Sequence, residues 1–284
     1  ELLHEPGTTD VLVNRGTEVL VEANGSLKHR GHLAPGEIET SFERILERSG
    51  RRLDRLHPIV DTRLPDGTRV CGIIPPIAVD GACVAFRVLG RRSFGLADFS
   101  SDDFVSLLVE EAVGDRKNLL ISGRTGSGKT SLLSALIDRA SASERIVVIE
   151  DTTEIVTQHP HVLRLEARPA TAEGRGAVDL DHLLRTALRL RPDRIVVGEV
   201  RGLEAITLVD ALNTGHRGSL SSIHANSASD ALTRLALLLR RALPAVDRRT
   251  IREMIASAID TVIHVDRDGS GRRTITEVVD VAAR

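Results

Sequence analysis

The chain contains no tryptophan and no tyrosine, five phenylalanines, one methionine and two cysteines. Lysine occurs only at Lys28, Lys117 and Lys129, so nearly all other positive charge is arginine. Each scarcity excludes something. Without Tyr or Trp two of the side chains used for stacking nucleic-acid bases are missing, and no Lys/Arg stripe is evident outside the motifs described below. A net charge of −2 gives no global basic field to attract a polyanion, so nucleic acid is not expected as a partner. No apolar run approaches the roughly 18 residues of a membrane-spanning helix. Cys71 and Cys83 have no C-x-x-C spacing, fall within expected strands, and read as two buried, reduced thiols of a cytosolic protein. The chain begins at Glu1 with neither an initiator methionine nor a secretory apolar segment, as a piece of a longer chain would. The arginine excess reads as coding bias, so an arginine counts as functional only where its position says so.

What is present is enough for two soluble globular domains: 284 residues, 41% hydrophobic and 27% charged. The strongest local pattern is Gly123-Arg124-Thr125-Gly126-Ser127-Gly128-Lys129-Thr130. It follows an apolar strand pattern, Asn118–Ser122, and precedes a helical one, Ser131–Ile137. Strand, glycine-rich loop and helix in that order form the setting of a phosphate-binding loop. Glycines let backbone N–H groups turn inward around a phosphate, and the helix start adds its positive dipole end. Lys129 would then reach the β- and γ-phosphates of a nucleoside triphosphate such as ATP, and the Thr130 hydroxyl would hold Mg2+.

Residues 1–89 read as an α+β domain. Strands are expected at Thr9–Val13 and Thr17–Ala23, with an Asn24-Gly25 hairpin before Ser26–His29. Ile38, Phe42, Ile45 and Leu46 give Gly36–Ser49 helical spacing, closed by Gly50. Three more strands are expected at His57–Leu64, Thr68–Ile74 and Ala82–Val88. Residues 90–99, with the run Gly90-Arg91-Arg92-Ser93-Phe94-Gly95, read as a linker. Residues 100–284 read as a second, α/β domain with a mostly parallel sheet, opened by a helix through Val113 capped by Ser100 or Ser101. Later elements are strands Arg145–Glu150, Arg194–Val197 and Gly218–His224, and helices near 180–188, 229–243 and 248–260. A terminal hairpin pairs Thr261–Asp266 with Thr274–Val281.

Triphosphate hydrolysis needs a water polarised by a carboxylate, and such groups stand where strands end beside the phosphate loop. Two strand ends qualify. One carries Glu150 and Asp151, the other Glu199 and Arg201. In the second, Gly198 stands where nucleoside triphosphatases commonly have Asp, so a metal carboxylate must come from elsewhere, with Glu150 or Asp151 the obvious source. His224 ends a third polar strand and by itself reads more readily as structural.

The succession of phosphate loop, IEDTTE (149–154), RLRPDRIVVGEVRG (189–202), NTGHRGSLSSIHANS (213–227) and IASAID (255–260) resembles the secretion-system ATPases of the type II/type IV superfamily. HPIVDTRLPDGTRVCGIIPP (57–76) looks like the N-terminal domain of the branch serving tight-adherence (Flp) pili. That resemblance implies a RecA-like ATPase domain, and it implies roles. Glu150 matches the acid that polarises water, Glu199 the atypical Walker B acid, and His224 a histidine near the nucleotide. Arg63, Arg69, Arg87 and Arg201 match basic positions. It further implies a homohexameric cytoplasmic ring at the inner face of the membrane, acting on a pilus platform protein, with ATP between the two domains of a subunit.

Two departures matter. Ala85-Phe86-Arg87-Val88 lacks one basic residue of the branch's usual wording unless Arg91 or Arg92 substitutes, and the paired C-x-x-C zinc insertion of other branches is absent. The missing insertion argues against the type II secretion and pilus-extension branches, and a motor of the tight-adherence pilus branch is expected from the resemblance. The alternatives are a type IV secretion ATPase exporting protein or DNA, a RecA-like nucleic-acid translocase, and, last, a metabolite kinase, for which no acceptor pocket is evident.

Overall fold

The computed structural model describes residues 2–23, 26–49, 51–88, 94–100, 102–171, 174–269 and 271–281. The chain divides into two compact units, Glu1–Arg91 with Ala170–Arg175, and Arg92–Pro169 with Gly176–Arg284. The expected Asn24-Gly25 turn, the Gly50 stop, Ser101 and the basic part of the linker, with Arg91 and Arg92, lie outside the described residues.

In the first unit the strands are β1 (Thr8–Asn14), β2 (Glu18–Ala23), β3 (Ser26–His32), β4 (Ile59–Arg63), β5 (Arg69–Ile73) and β6 (Cys83–Arg87). They form one antiparallel sheet in the order β3-β2-β1-β6-β5-β4. Strand alternation turns Val11, Val13, Val19, Val21, Val60, Val70, Val84 and Phe86 to one face, where helix α1 (Glu37–Ser49) lays Ile38, Phe42 and Leu46 over them. The Phe42 ring lies so close that a β-carbon at Gly72 would come within 2.4 Å of it. The same alternation corrects the reading of the cysteines. Cys71 is exposed and Cys83 half-buried, because each sits between inward-facing neighbours on its strand.

The second unit is a three-layer α/β/α structure. Its elements are α2 (Asp103–Gly114), β7 (Leu119–Gly123), α3 (Lys129–Ile137), β8 (Ile146–Glu150), β9 (Val162–Glu166), α4 (Leu180–Ala187), β10 (Arg194–Val197), α5 (Glu204–Asn213), β11 (Leu220–His224), α6 (Ala228–Ala242), α7 (Arg248–Ala258), β12 (Thr261–Arg267) and β13 (Arg273–Asp280). The sheet order is β13-β12-β7-β11-β10-β8-β9, parallel throughout except for β13. Strands buried on both faces carry continuous apolar runs rather than alternation, as in Ile146-Val147-Val148-Ile149. One face packs Leu120, Val147, Ile149 and Val197 against α4 to α7; the other packs Leu119, Ile121, Val148 and Val196 against α2 and α3. Each such side chain contributes about 1.5–3 kcal/mol on burial.

Two elements escaped the sequence reading. Helix α5 buries Glu204, Ala205, Thr207, Leu208, Val209, Ala211 and Leu212 and exposes only Asp210 and Asn213, so its polar face is too narrow to reveal a helical period. Strand β9 is a half-buried edge strand with polar residues. The cap of α2 is Asp102, whose side chain accepts the Phe104 N–H, while Ser100 Oγ bonds Asp102 instead. The sequence reading also passed over a local charge cluster. Arg240, Arg241, Arg248, Arg249 and Arg252 lie within thirteen residues spanning the end of α6 and the start of α7.

Candidate functional site

Four parallel strands deliver their C-terminal ends to one place. β7 ends at Gly123, and the sheet register sets His224, the last residue of β11, directly beside it. Beyond β11 comes β10, leading to Glu199, and then β8, ending at Glu150. This edge is where a parallel α/β sheet opens to ligands.

The glycine-rich loop is shaped by close approaches. At Gly123 a β-carbon would lie 2.3 Å from the Val265 carbonyl oxygen and 2.4 Å from Ser127 Oγ. Gly128 caps α3 with φ of +107°, and a β-carbon there would lie 2.5 Å from Arg273 Cδ. Arg267 Nε donates to the Gly126 carbonyl at 2.7 Å. The terminal hairpin β12–β13 therefore buttresses the loop from behind, a role the sequence pattern did not suggest. Arg124, Thr125 and Gly126 are exposed, Ser127 is buried, and Thr130 is half-buried as the second residue of α3.

Lys129 is buried, and all three of its donors have acceptors: the carbonyls of Gly123 and Arg124 and His224 Nδ1, each at 3.1 Å. Because Nδ1 accepts from Lys129, the His224 proton sits on Nε2, which meets Glu199 Oε1 at 3.0 Å. The other Glu199 oxygen accepts from Arg201 at 3.2 Å, and Arg201 also reaches Asp151 at 3.2 Å. The structure thus joins Lys129, His224, Glu199, Arg201 and Asp151 into one alternating chain. Burial and the adjacent ammonium of Lys129 hold the His224 pKa below its ordinary value, against the pull of Glu199, so the imidazole is neutral at pH 7. Burial also lowers the Lys129 pKa, opposed by the Glu199 carboxylate.

Glu150 stands apart from that chain. It is 4% exposed, and its Oε1 accepts the Glu154 and Ile155 N–H groups at 2.9 and 3.0 Å. Burial pushes its pKa up to about 7, despite those bonds, and the nearby Glu154 and Glu166 carboxylates add to the rise. Gly198 faces it: a β-carbon there would lie 2.8 Å from Glu150 Cγ. An aspartate in that position would collide with Glu150, so the departure from the common pattern has a steric cause.

Several participants were not singled out from sequence. Arg234 donates to the His224 carbonyl at 2.7 Å. Glu204 Oε1 receives the N–H groups of Arg201 and Gly202 at 2.5 and 2.7 Å, fixing the turn that carries Arg201. Its signal, an acid in a helix first turn, was hidden with α5. Glu154 acts through its charge on Lys129 and Arg201.

The remaining expected residues lie in the first unit. Arg63, Arg69 and Arg87 are consecutive cross-strand neighbours on β4, β5 and β6, on the sheet face away from α1. Arg87 is opposite Asp10 on β1 and pairs with it at 3.0 Å.

A sequence profile for the family described as type II/IV secretion system protein matches residues 1–281. A putative conjugal transfer protein of Mycobacterium tuberculosis is 40% identical over 98% of this chain and 82% of its own length. The conjugal transfer protein TrbB of Rhizobium radiobacter is 33% identical over 98% and 85%. Among solved structures, the VirB11 ATPase from the Brucella suis type IV secretion system superposes with a TM-score of 0.56 at 27% identity, covering 99% of this chain and 92% of its own. The pilus retraction motor PilT, at 23% identity and a TM-score of 0.69 over 95% and 79%, shares the fold.

Proposed function

The chain belongs to the type II/IV secretion system protein family, and from that premise we propose that it is an ATP-hydrolysing motor of a secretion or pilus machine. The observation that carries the reading is the convergence of four strand ends on the glycine-rich loop, with Lys129, His224, Glu199 and Glu150 arranged around it. ATP phosphates would take the place of the loop carbonyls at Lys129, whose ammonium gains far more from a phosphate than from a neutral carbonyl. Glu150 acts as general base, since a carboxylate with pKa near 7 matches its proton affinity to the working pH. Glu199 holds His224 and Arg201 in place and neutralises both sides of the cleft.

The donor set suits Mg2+. Thr130 offers a hydroxyl and Glu150, Asp151 and Glu199 offer carboxylates, while no cluster of three His, Cys, Asp or Glu forms a protein cage among the described residues. Such an ion arrives with phosphates and keeps few protein ligands, with Thr130 and one carboxylate holding it. It would supply charge neutralisation at the phosphates.

In the first unit, Arg63, Arg69 and Arg87 stand in one cross-strand row, and guanidinium groups so placed suit an incoming phosphate. Arg63, Arg69 and Arg87 are proposed to meet nucleotide phosphates within a homohexameric ring, Arg87 serving the neighbouring subunit. The cargo divides two ways. The names of the relatives favour type IV secretion or conjugal transfer, with protein or DNA as substrate. The wording of residues 57–76 favours the tight-adherence pilus branch and a membrane platform protein. The test is phosphate release from ATP by the assembled protein in the presence of Mg2+. Turnover that disappears in Lys129→Ala is expected, and turnover equal in the two proteins would overturn the reading.

A further inference from the structure

The α6–α7 turn carries charge that nothing in the fold accounts for. Arg240 and Arg241 close α6, Arg248 and Arg249 open α7, and Arg252 follows one turn later; all five are exposed. Between Arg240 and Arg252 the only acid is Asp247, leaving this stretch at +4 in a chain whose net charge is −2.

The local acids are already committed. Asp247 caps α7, accepting from the N–H groups of Arg249 and Thr250 and from the Thr250 hydroxyl at 2.8, 3.1 and 2.7 Å. Glu253 pairs with Arg249 at 2.8 Å. Among the described residues Arg240, Arg241, Arg248 and Arg252 have no acidic partner. An arginine that serves the fold looks different here: Arg194 is buried, pairs with Glu144 at 2.7 Å and fills two carbonyls.

Helix dipoles explain only half of the cluster. Cations in the last turn of α6 are favourable, whereas cations in the first turn of α7 face the positive end of its dipole. Arg248 therefore raises the local energy of the isolated chain, and an external anion would relieve it, whereas Arg249 is offset by Glu253. The six residues between the arginine pairs on α6 and α7 include Leu243-Pro244-Ala245-Val246, with Pro244 and Ala245 exposed. Leu237, 49% exposed, lies one helical turn before Arg240 and Arg241 on the outer face of α6.

Cation pairs flanking a short apolar turn form the pattern of an interfacial contact, with small apolar groups entering the headgroup layer and guanidinium groups meeting phosphates. No Tyr or Trp exists to stack a base, which disfavours a nucleic-acid groove. The turn is also remote from the phosphate loop. α6 leaves that edge of the sheet at Ser227 and runs its 15 residues to Ala242, which puts Arg241 about 20 Å along the helix.

We infer that the α6–α7 turn is a docking surface for the anionic headgroups of a lipid bilayer. It places the second unit directly on a membrane surface, apart from any platform protein, and does not depend on the hydrolysis reading.

The experiment is co-sedimentation of the full chain, without nucleotide, with phosphatidylcholine vesicles with and without phosphatidylglycerol. Binding is expected only when phosphatidylglycerol is present. Replacing Arg240, Arg241, Arg248 and Arg252 by Gln should weaken it about fivefold per residue. The thermal midpoint, read in parallel, should hold; if the fourfold variant unfolds, the pairs R240Q/R241Q and R248Q/R252Q are each expected to weaken binding. A control with the same charge change, Arg44, Arg52, Arg55 and Arg189 to Gln, should bind as the parent does. Equal binding by the parent and the α6–α7 variants, equal loss in the control, or displacement from vesicles by single-stranded DNA at matched phosphate concentration would each overturn the inference.

Discussion

A β-carbon on Gly198 would lie 2.8 Å from Cγ of Glu150, so these two residues of neighbouring strands share one volume. Gly198→Ala should therefore push the Glu150 carboxylate out of its bonds to Glu154 and Ile155. A shift of about 1 Å in a catalytic group can cost on the order of 10² in rate. Steady-state ATP turnover and nucleotide affinity measured side by side check this: turnover should fall while affinity holds. Unchanged turnover would mean that the position of Glu150 is not critical.

Glu150 links pH to both activity and stability. Its folded pKa of about 7 lies above the 4.5 of a free glutamate, so the folded state holds the proton more tightly. Its contribution to stability is then complete below about pH 4.5 and is lost as pH rises through about 7, amounting to roughly 3 kcal/mol. Activity runs the other way, because the ionised form takes the proton from water. Glu150→Gln should melt higher than the parent at pH 8, yet hydrolyse ATP about 10² to 10⁴ more slowly. If Glu199→Gln abolishes turnover while Glu150→Gln leaves it near normal, the two acids have exchanged roles.

Lys129→Ala removes the ammonium around which the Gly123 and Arg124 carbonyls and His224 Nδ1 gather. Tight binding of a fluorescent ATP analogue should disappear, because the backbone cradle alone lacks the charge-assisted contact to phosphate. Affinity within twofold of the parent would remove the phosphate-loop assignment.

Arg87 is proposed to act on a neighbour's nucleotide, and its present partner, Asp10, is on its own sheet. An arginine supplied in trans can contribute about 10³ to 10⁵ in rate. Arg87→Ala and Lys129→Ala subunits should each be inactive alone. Mixed rings should regain part of the activity, since some interfaces join an intact loop to an intact arginine. Rings demonstrated to be mixed but lacking rescue would exclude the trans role.

The elements legible in the chain were those with a local cause. The phosphate loop is contiguous, and its glycines are required within eight residues of one another. The apolar runs of β7, β8 and β10 are continuous because each strand is buried on both faces. His224 was ambiguous for the opposite reason. Its meaning lies in a bond to Lys129 across 95 positions, made possible only when β11 aligns with β7.

By itself, then, the order of residues determined the glycine-rich loop between strand and helix, the alternation of strands and helices, and the acids at two strand ends. Periodicity and turn chemistry act over a few residues, so they survive in one dimension. Tertiary structure alone decided that Glu150 occupies the space an Asp at 198 would need, and that the last hairpin supports the loop leading into α3. Those outcomes depend on packing and on charge between groups distant in the chain, and both act only once the sheet register has brought the groups together.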